Sequence, residues 1–174
     1  PGLNLYREAF KNCNKLTSVT LPASVNLIQD SVFAACSSLT NIEVSSANAQ
    51  YSSDDGVLFN KGKTTLVAFP AGKSGHYTIP DSITSIGDTA FYDCSSLADV
   101  TIPDSVTNIG GGAFEGCSSL TSITIPDGVT NIGEFAFSSC GGLTSVTMPD
   151  CVTNIMDGTF YMCSSRLLST SDAA

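Results

Sequence analysis

Residues 97–119 read LADVTIPDSVTNIGGGAFEGCSS, and residues 120–142 read LTSITIPDGVTNIGEFAFSSCGG. Laid over one another, they share eight positions: Leu97/Leu120, Val100/Ile123, Ile102/Ile125, Pro103/Pro126, Val106/Val129, Ile109/Ile132, Phe114/Phe137 and Cys117/Cys140. The unit is L-x-x-V/I-x-I-P-x-x-V-x-x-I-x-x-x-x-F-x-x-C-x-x, with a period of 23 residues. A self-similar period of this length marks a stacked-repeat architecture. Downstream it continues as Leu143, Val146, Met148, Pro149, Val152, Ile155, Phe160 and Cys163. Upstream, Leu16, Val19, Leu21, Pro22, Val25, Ile28, Phe33 and Cys36 repeat it. Tyr77, Ile79, Pro80, Ile83, Ile86, Phe91 and Cys94 form another copy, with Ser74 in the leucine slot. The N-terminus opens mid-unit, with Leu5, Phe10 and Cys13 in the isoleucine, phenylalanine and cysteine slots.

The spacing carries its own physics. Val100 and Ile102 alternate, as a short strand with one buried face requires. Pro103-Asp104 ends that strand, because proline lacks the N–H that a ladder needs and favours a turn. Gly87, Gly110 and Gly133 follow the third aliphatic, where a positive φ is expected. Ala-Phe-x-x-Cys should turn the chain on the opposite side as a short helix or 3₁₀ turn. A single unit leaves both flanks of its apolar residues open. Neighbouring units, about 4.8 Å apart, must cover them. The expected shape is a curved solenoid with one parallel sheet.

Composition agrees with this reading. Only 13% of the 174 residues are charged, because most slots of each unit are aliphatic, small or turn-forming. The net charge of −9 argues against nucleic acid, which selects a basic face. No apolar run approaches the roughly 18 residues of a membrane span. One histidine excludes a multi-histidine metal site. Seven cysteines would suggest a disulfide framework, but six of them occupy the same repeat slot. They are expected to form an inward ladder of buried, reduced thiols, since parallel side-chain vectors suit bridging poorly. Cys151 stands outside that slot and should lie near the surface as an odd thiol.

The unit and its A-F-x-x-C ending resemble the BspA-like leucine-rich repeat, a subclass found in surface antigens of bacteria and some protists. The resemblance runs from about Leu5 to Cys163 and implies an α/β fold. In detail it implies a right-handed leucine-rich-repeat solenoid with short 3₁₀ or helical turns on the convex side. It also implies adhesion to host-surface or extracellular-matrix proteins, hence a secreted or cell-surface location. The alternatives are a structural spacer that projects another domain, or an intracellular scaffold. Residues 1–174 read as a single domain, and a start in mid-unit is expected of a segment of a longer protein. The shared residues are the buried ones, so the partner is not encoded in them.

After Leu39, Ile42 and Val44 the pattern decays, and an irregular insert spans 45–76. Its centre, Val57 to Pro70, reads as a β-hairpin around Lys61-Gly62-Lys63, a small meander near 51–76 inside the sheet. D-G-V-L-F-N-K inserts of this kind also occur in BspA-like proteins. Lys61, Lys63, Lys73 and His76 gather here, next to aromatic residues, as a candidate patch for an acidic partner. Lysines that keep a hairpin edge soluble explain them equally well.

The outward strand positions make the second candidate. Thr20, Glu43, Asp99, Thr101, Ser122, Thr124, Ser145 and Thr147 alternate with buried aliphatics and should pave the concave face. Solenoids commonly bind proteins there. Asp81, Asp104, Asp127 and Asp150 follow the strand-ending prolines and form a column, either capping their turns or bridging cations such as Ca²⁺. No G-x-S-x-G, phosphate loop, H-E-x-x-H or C-x-x-C occurs. We therefore expect no catalytic, cofactor or metal site.

Overall fold

A computed structural model describes residues 2–152 and 155–163. Two rows of short strands run along the solenoid. The first row contains β2 (Ser18–Leu21), β4 (Asn41–Val44), β8 (Gly75–Thr78), β10 (Leu97–Thr101), β12 (Ser122–Thr124) and β14 (Ser145–Thr147). These join as three parallel pairs, β2 with β4, β8 with β10 and β12 with β14. The second row contains β1 (Leu3–Leu5), β3 (Val25–Ile28), β5 (Tyr51–Asp54), β6 (Val57–Asn60), β7 (Thr65–Ala68), β9 (Ser85–Ile86), β11 (Asn108–Ile109) and β13 (Asn131–Ile132). Strands β1 and β3 pair in parallel, and the other six form one sheet in the order β13-β11-β9-β7-β6-β5. The single parallel sheet expected from the sequence is therefore corrected to several sheets in two rows. The third aliphatic of each unit, such as Ile109, sits in a second strand that packs from the other side of the coil.

The expected helical turns are also corrected. Among the described residues there is no helix. The reason lies in the backbone. Glu8, Ser31, Thr89, Gly112, Phe135 and Gly158 recur at one slot with φ between 53° and 67°. Asn12, Ala35, Asp93, Gly116, Ser139 and Met162 recur four residues later with φ between 53° and 78°. Two left-handed residues within five positions stop a right-handed helix from propagating. The freed N–H groups cross to the next coil instead, as Phe91 does to Ala113 O at 2.7 Å and Phe114 to Ala136 O at 2.7 Å.

Gly87, Gly110 and Gly133 do not have the positive φ expected of them. Their role is close approach. A Cβ on Gly110 would lie 2.6 Å from the Asp88 backbone nitrogen, and one on Gly133 would lie 2.5 Å from that of Gly111. Consecutive coils touch backbone to backbone at this corner.

The insert forms the expected meander. Strand β5 pairs antiparallel with β6, and β6 antiparallel with β7. Strand β7 then pairs in parallel with β9, so the meander belongs to the second row. Val57, Leu58 and Phe59 are all buried, and they divide two cores. Leu58 packs with Leu21, Val25, Phe33, Leu39 and Ile42 on one side. Val57 and Phe59 join the larger cluster, which runs on through Phe91, Phe114 and Phe137. Period-two alternation here separates two apolar faces rather than an apolar face from a polar one.

Candidate functional site

The residues expected on the concave face come together on the first strand row. All eight are exposed. The pairing sets Thr20 beside Glu43, Ser122 beside Ser145, and Thr124 beside Thr147. Asp99 and Thr101 lie beside His76 and Thr78. Val100, Ile123 and Val146, buried between them, fix which way the polar side chains point. The result is a row of short hydroxyl and carboxylate groups, open to solvent along the solenoid.

His76 and Thr78 belong to this row. His76 was read with the insert, but it lies on β8, where its Nδ1 sits 2.8 Å from Asp99 Oδ2 and its Nε2 2.9 Å from Thr78 Oγ1. The repeat itself held the signal, because Asp99 follows His76 by one 23-residue period. Hydroxyl, imidazole and carboxylate in this order resemble a nucleophile relay. However, the His76 and Asp99 side chains are 51% and 56% exposed, so water competes for each contact. The two contacts position the imidazole in the strand row.

Two of the three insert lysines are ion-paired. Lys63 Nζ pairs with Asp54 at 2.7 Å, and Lys73 Nζ with Asp55 at 2.8 Å. Lys61 Nζ donates to the carbonyl of Ser46 at 3.3 Å. The Lys63 ammonium holds the Asp54 carboxyl below its ordinary range. These pairs tie the turns of the meander to one another.

Two features of the insert, one buried and one half-buried, escaped the sequence reading. Asn48 is buried and uses its whole amide. Its Nδ2 donates to the carbonyls of Pro22 and Val25 at 3.0 and 2.9 Å, and its Oδ1 accepts from the N–H groups of Gln50 and Tyr51 at 2.8 Å. Tyr51 Oη in turn accepts the N–H of Ile28 at 2.8 Å, standing in for a strand partner. An asparagine in a Ser/Ala/Gln-rich stretch carries no mark of this in sequence.

Asp81, Asp104, Asp127 and Asp150 are exposed, as a solvated column requires. Each turn is closed by the proline carbonyl, which accepts from Ile83, Val106 and Val129 at 3.0 Å and from Val152 at 3.2 Å. Among the described residues no group of three or more His, Cys, Asp or Glu side chains could hold a metal ion. The cysteine ladder is buried at Cys36, Cys94, Cys117 and Cys140. Cys13 is exposed and Cys163 only half-buried, which corrects the expectation of six buried thiols. Cys151 is exposed and donates to the carbonyl of Asp127 at 2.8 Å. A side-chain hydrogen bond shared with Cys94, and then burial, push the Cys117 thiol well above its ordinary range. Burial does the same to Cys140.

The repeat spacing and its two-row geometry agree with a family model, the BspA type leucine-rich repeat region, which matches six copies over residues 3–74 and 66–172. The chain belongs to this family. Solved structures of leucine-rich-repeat and related proteins align with it. A leucine-rich repeat protein from Eubacterium ventriosum is 36% identical, with a TM-score of 0.72 over 78% of this chain and 38% of that one. The pneumococcal vaccine antigen PcpA is 25% identical, with a TM-score of 0.70 over 87% of this chain and 44% of its own. A leucine rich cell surface protein from Faecalibacterium prausnitzii is 29% identical, with a TM-score of 0.67 over 86% and 46%. The BspA-type chain thus spans less than half the length of these relatives. A search of curated proteins finds no match. Among the described residues no helix is long and apolar enough to cross a membrane.

Proposed function

We propose that this BspA-type repeat array is a non-catalytic protein-interaction module of a secreted or cell-surface protein, and that it binds its partner through the first strand row. The observation that carries the reading is the exposed row from Thr20 to Thr147, built of three parallel strand pairs. Repeat arrays present extended faces of this kind to proteins. Two structural relatives support the location, one described as a vaccine antigen and one as a cell surface protein. Short side chains on a rigid sheet suit a broad, polar contact made by many weak pairs. The row lacks the Trp, Tyr and Arg anchors that concentrate affinity at a few points, so micromolar rather than nanomolar binding is expected.

Binding of the chain to immobilised extracellular-matrix and host-surface proteins tests the reading. Saturable binding to at least one of them is the expected result. Uniformly absent binding would favour a spacer array that projects a neighbouring domain.

A further inference from the structure

Away from the strand rows, the coils of the regular half are joined by three repeated backbone bonds. Thr89, Phe91 and Asp93 donate to the carbonyls of Gly111, Ala113 and Glu115 at 2.9, 2.7 and 2.8 Å. Gly112, Phe114 and Gly116 do the same one coil on. The phenylalanine rings stack over these bonds, from Phe69 through Phe91, Phe114 and Phe137 to Phe160, with centroids 4.7–5.6 Å apart. Phe10 and Phe33 form a separate stack at 5.6 Å.

Between Phe33 and Phe69 this pattern fails. Ser31 N–H turns to Thr89 Oγ1 at 2.9 Å, across 58 residues. Among the described residues no inter-coil bond leaves the N–H of Phe33 or Ala35, and Phe33 and Phe69 do not stack. The meander explains the gap. It adds β5, β6 and β7 to the second row and no strand to the first, so the coils on either side splay at this corner. What remains is a half-open cavity of about 210 Å³, lined by Phe33, Phe69, Val67, Ala68, Thr89 and Tyr92. Phe33 and Phe69 keep 7% and 6% exposure, where Phe91, Phe114 and Phe137 keep 0%. Each of the two has lost one ring neighbour.

We propose that this gap binds a small planar aromatic molecule of one or two fused rings, neutral or cationic, which enters between Phe33 and Phe69 as the missing rung. Three observations define the ligand. The volume exceeds the roughly 150 Å³ of an apolar cavity that takes up benzene. The repeat directs the phenylalanine N–H along the stacking axis, so the unpartnered Phe33 N–H faces the gap and selects a ring that carries a hydrogen-bond acceptor. Asp30, paired with Arg7 at 3.4 Å, and Asp88 line the gap, so its net charge is negative and disfavours anions.

Quinoline, a neutral two-ring aromatic with a ring-nitrogen acceptor, is the probe. Titrated into the ¹⁵N-labelled chain, it should give saturable shifts concentrated at the amides of Phe33, Ala34 and Thr89. Quinoline-2-carboxylate should bind at least ten-fold more weakly. Ala68→Phe, which fills the gap from within, should weaken quinoline at least ten-fold while leaving the shifts of the Phe114 and Phe137 coils unchanged. If that variant does not fold, the location of the wild-type shifts and the carboxylate comparison decide. Shifts scattered over the surface, or a failure to saturate, would overturn the proposal. So would a folded Ala68→Phe variant that binds quinoline as tightly as the wild type.

Discussion

Cys117 donates its thiol to the carbonyl of Phe91 at 3.2 Å, one coil back, while the Phe91 ring stacks on Phe114 at 4.7 Å. The same bond recurs from Cys36 to Phe10 at 2.9 Å, from Cys140 to Phe114 at 3.1 Å and from Cys163 to Phe137 at 3.0 Å. The cysteine slot therefore serves two purposes: it fills a small apolar site, and it gives the phenylalanine carbonyl a second hydrogen bond beside the backbone N–H it already accepts within its own turn. Replacing Cys117 by alanine removes both. A loss of about 1–2 kcal/mol is expected, read as a lower urea midpoint at unchanged slope.

Thiol accessibility should follow position along the ladder. At pH 8, an aromatic disulfide reagent is expected to modify Cys13 and Cys151 rapidly in the native protein. Cys36, Cys94, Cys117 and Cys140 should react only on unfolding, being buried. Mass spectrometry of the labelled peptides distinguishes the two groups.

Two glycine-related substitutions should move stability in opposite directions. Gly133→Ala forces a Cβ to within 2.5 Å of the Gly111 backbone nitrogen and is expected to cost about 1–3 kcal/mol. Ser139 holds φ at 58°, so Ser139→Gly relieves left-handed strain at some cost in chain entropy. A net gain of about 0.5 kcal/mol is expected. Denaturant melts of both variants check the signs.

Tyr77 packs on Phe69 and Phe91 at 4.7 and 6.2 Å. Burial, helped by Asp54 and Asp55, pushes its hydroxyl up to about 12 from the ordinary 10. The folded state therefore holds the proton more tightly than the unfolded one. This stabilising contribution is complete below pH 10 and is lost as pH rises through about 12. Tyr77→Phe should flatten the fall in stability across that window, measured by urea unfolding at stepped pH.

Much of the fold was legible because a repeat reports its core directly. Every fully buried phenylalanine of the regular half sat in a predicted slot. The strand row was legible for the same reason, since Thr101 and Thr124 alternate with Val100 and Ile123. What escaped was set by backbone geometry that side chains do not advertise. Thr89 and Phe135 adopt left-handed φ without being glycine, which replaced the expected helical turns by inter-coil bonds. His76 was assigned to the insert by sequence proximity, although its spacing from Asp99 places it in the strand row. Asn48 and the gap beside Phe33 arise from how the meander meets the coils, a long-range consequence of Leu58 and Phe59 facing two different cores.

The most direct test of the interaction face compares two triple variants for the partner that the binding panel identifies. Thr101, Thr124 and Thr147 changed to Lys place three cations in the strand row, while Ser95, Ser118 and Gly141 changed to Lys place them at exposed turn positions. The dissociation constant should rise at least ten-fold for the first variant and stay within two-fold for the second. Equal affinities for wild type and the strand-row variant would contradict binding through that row.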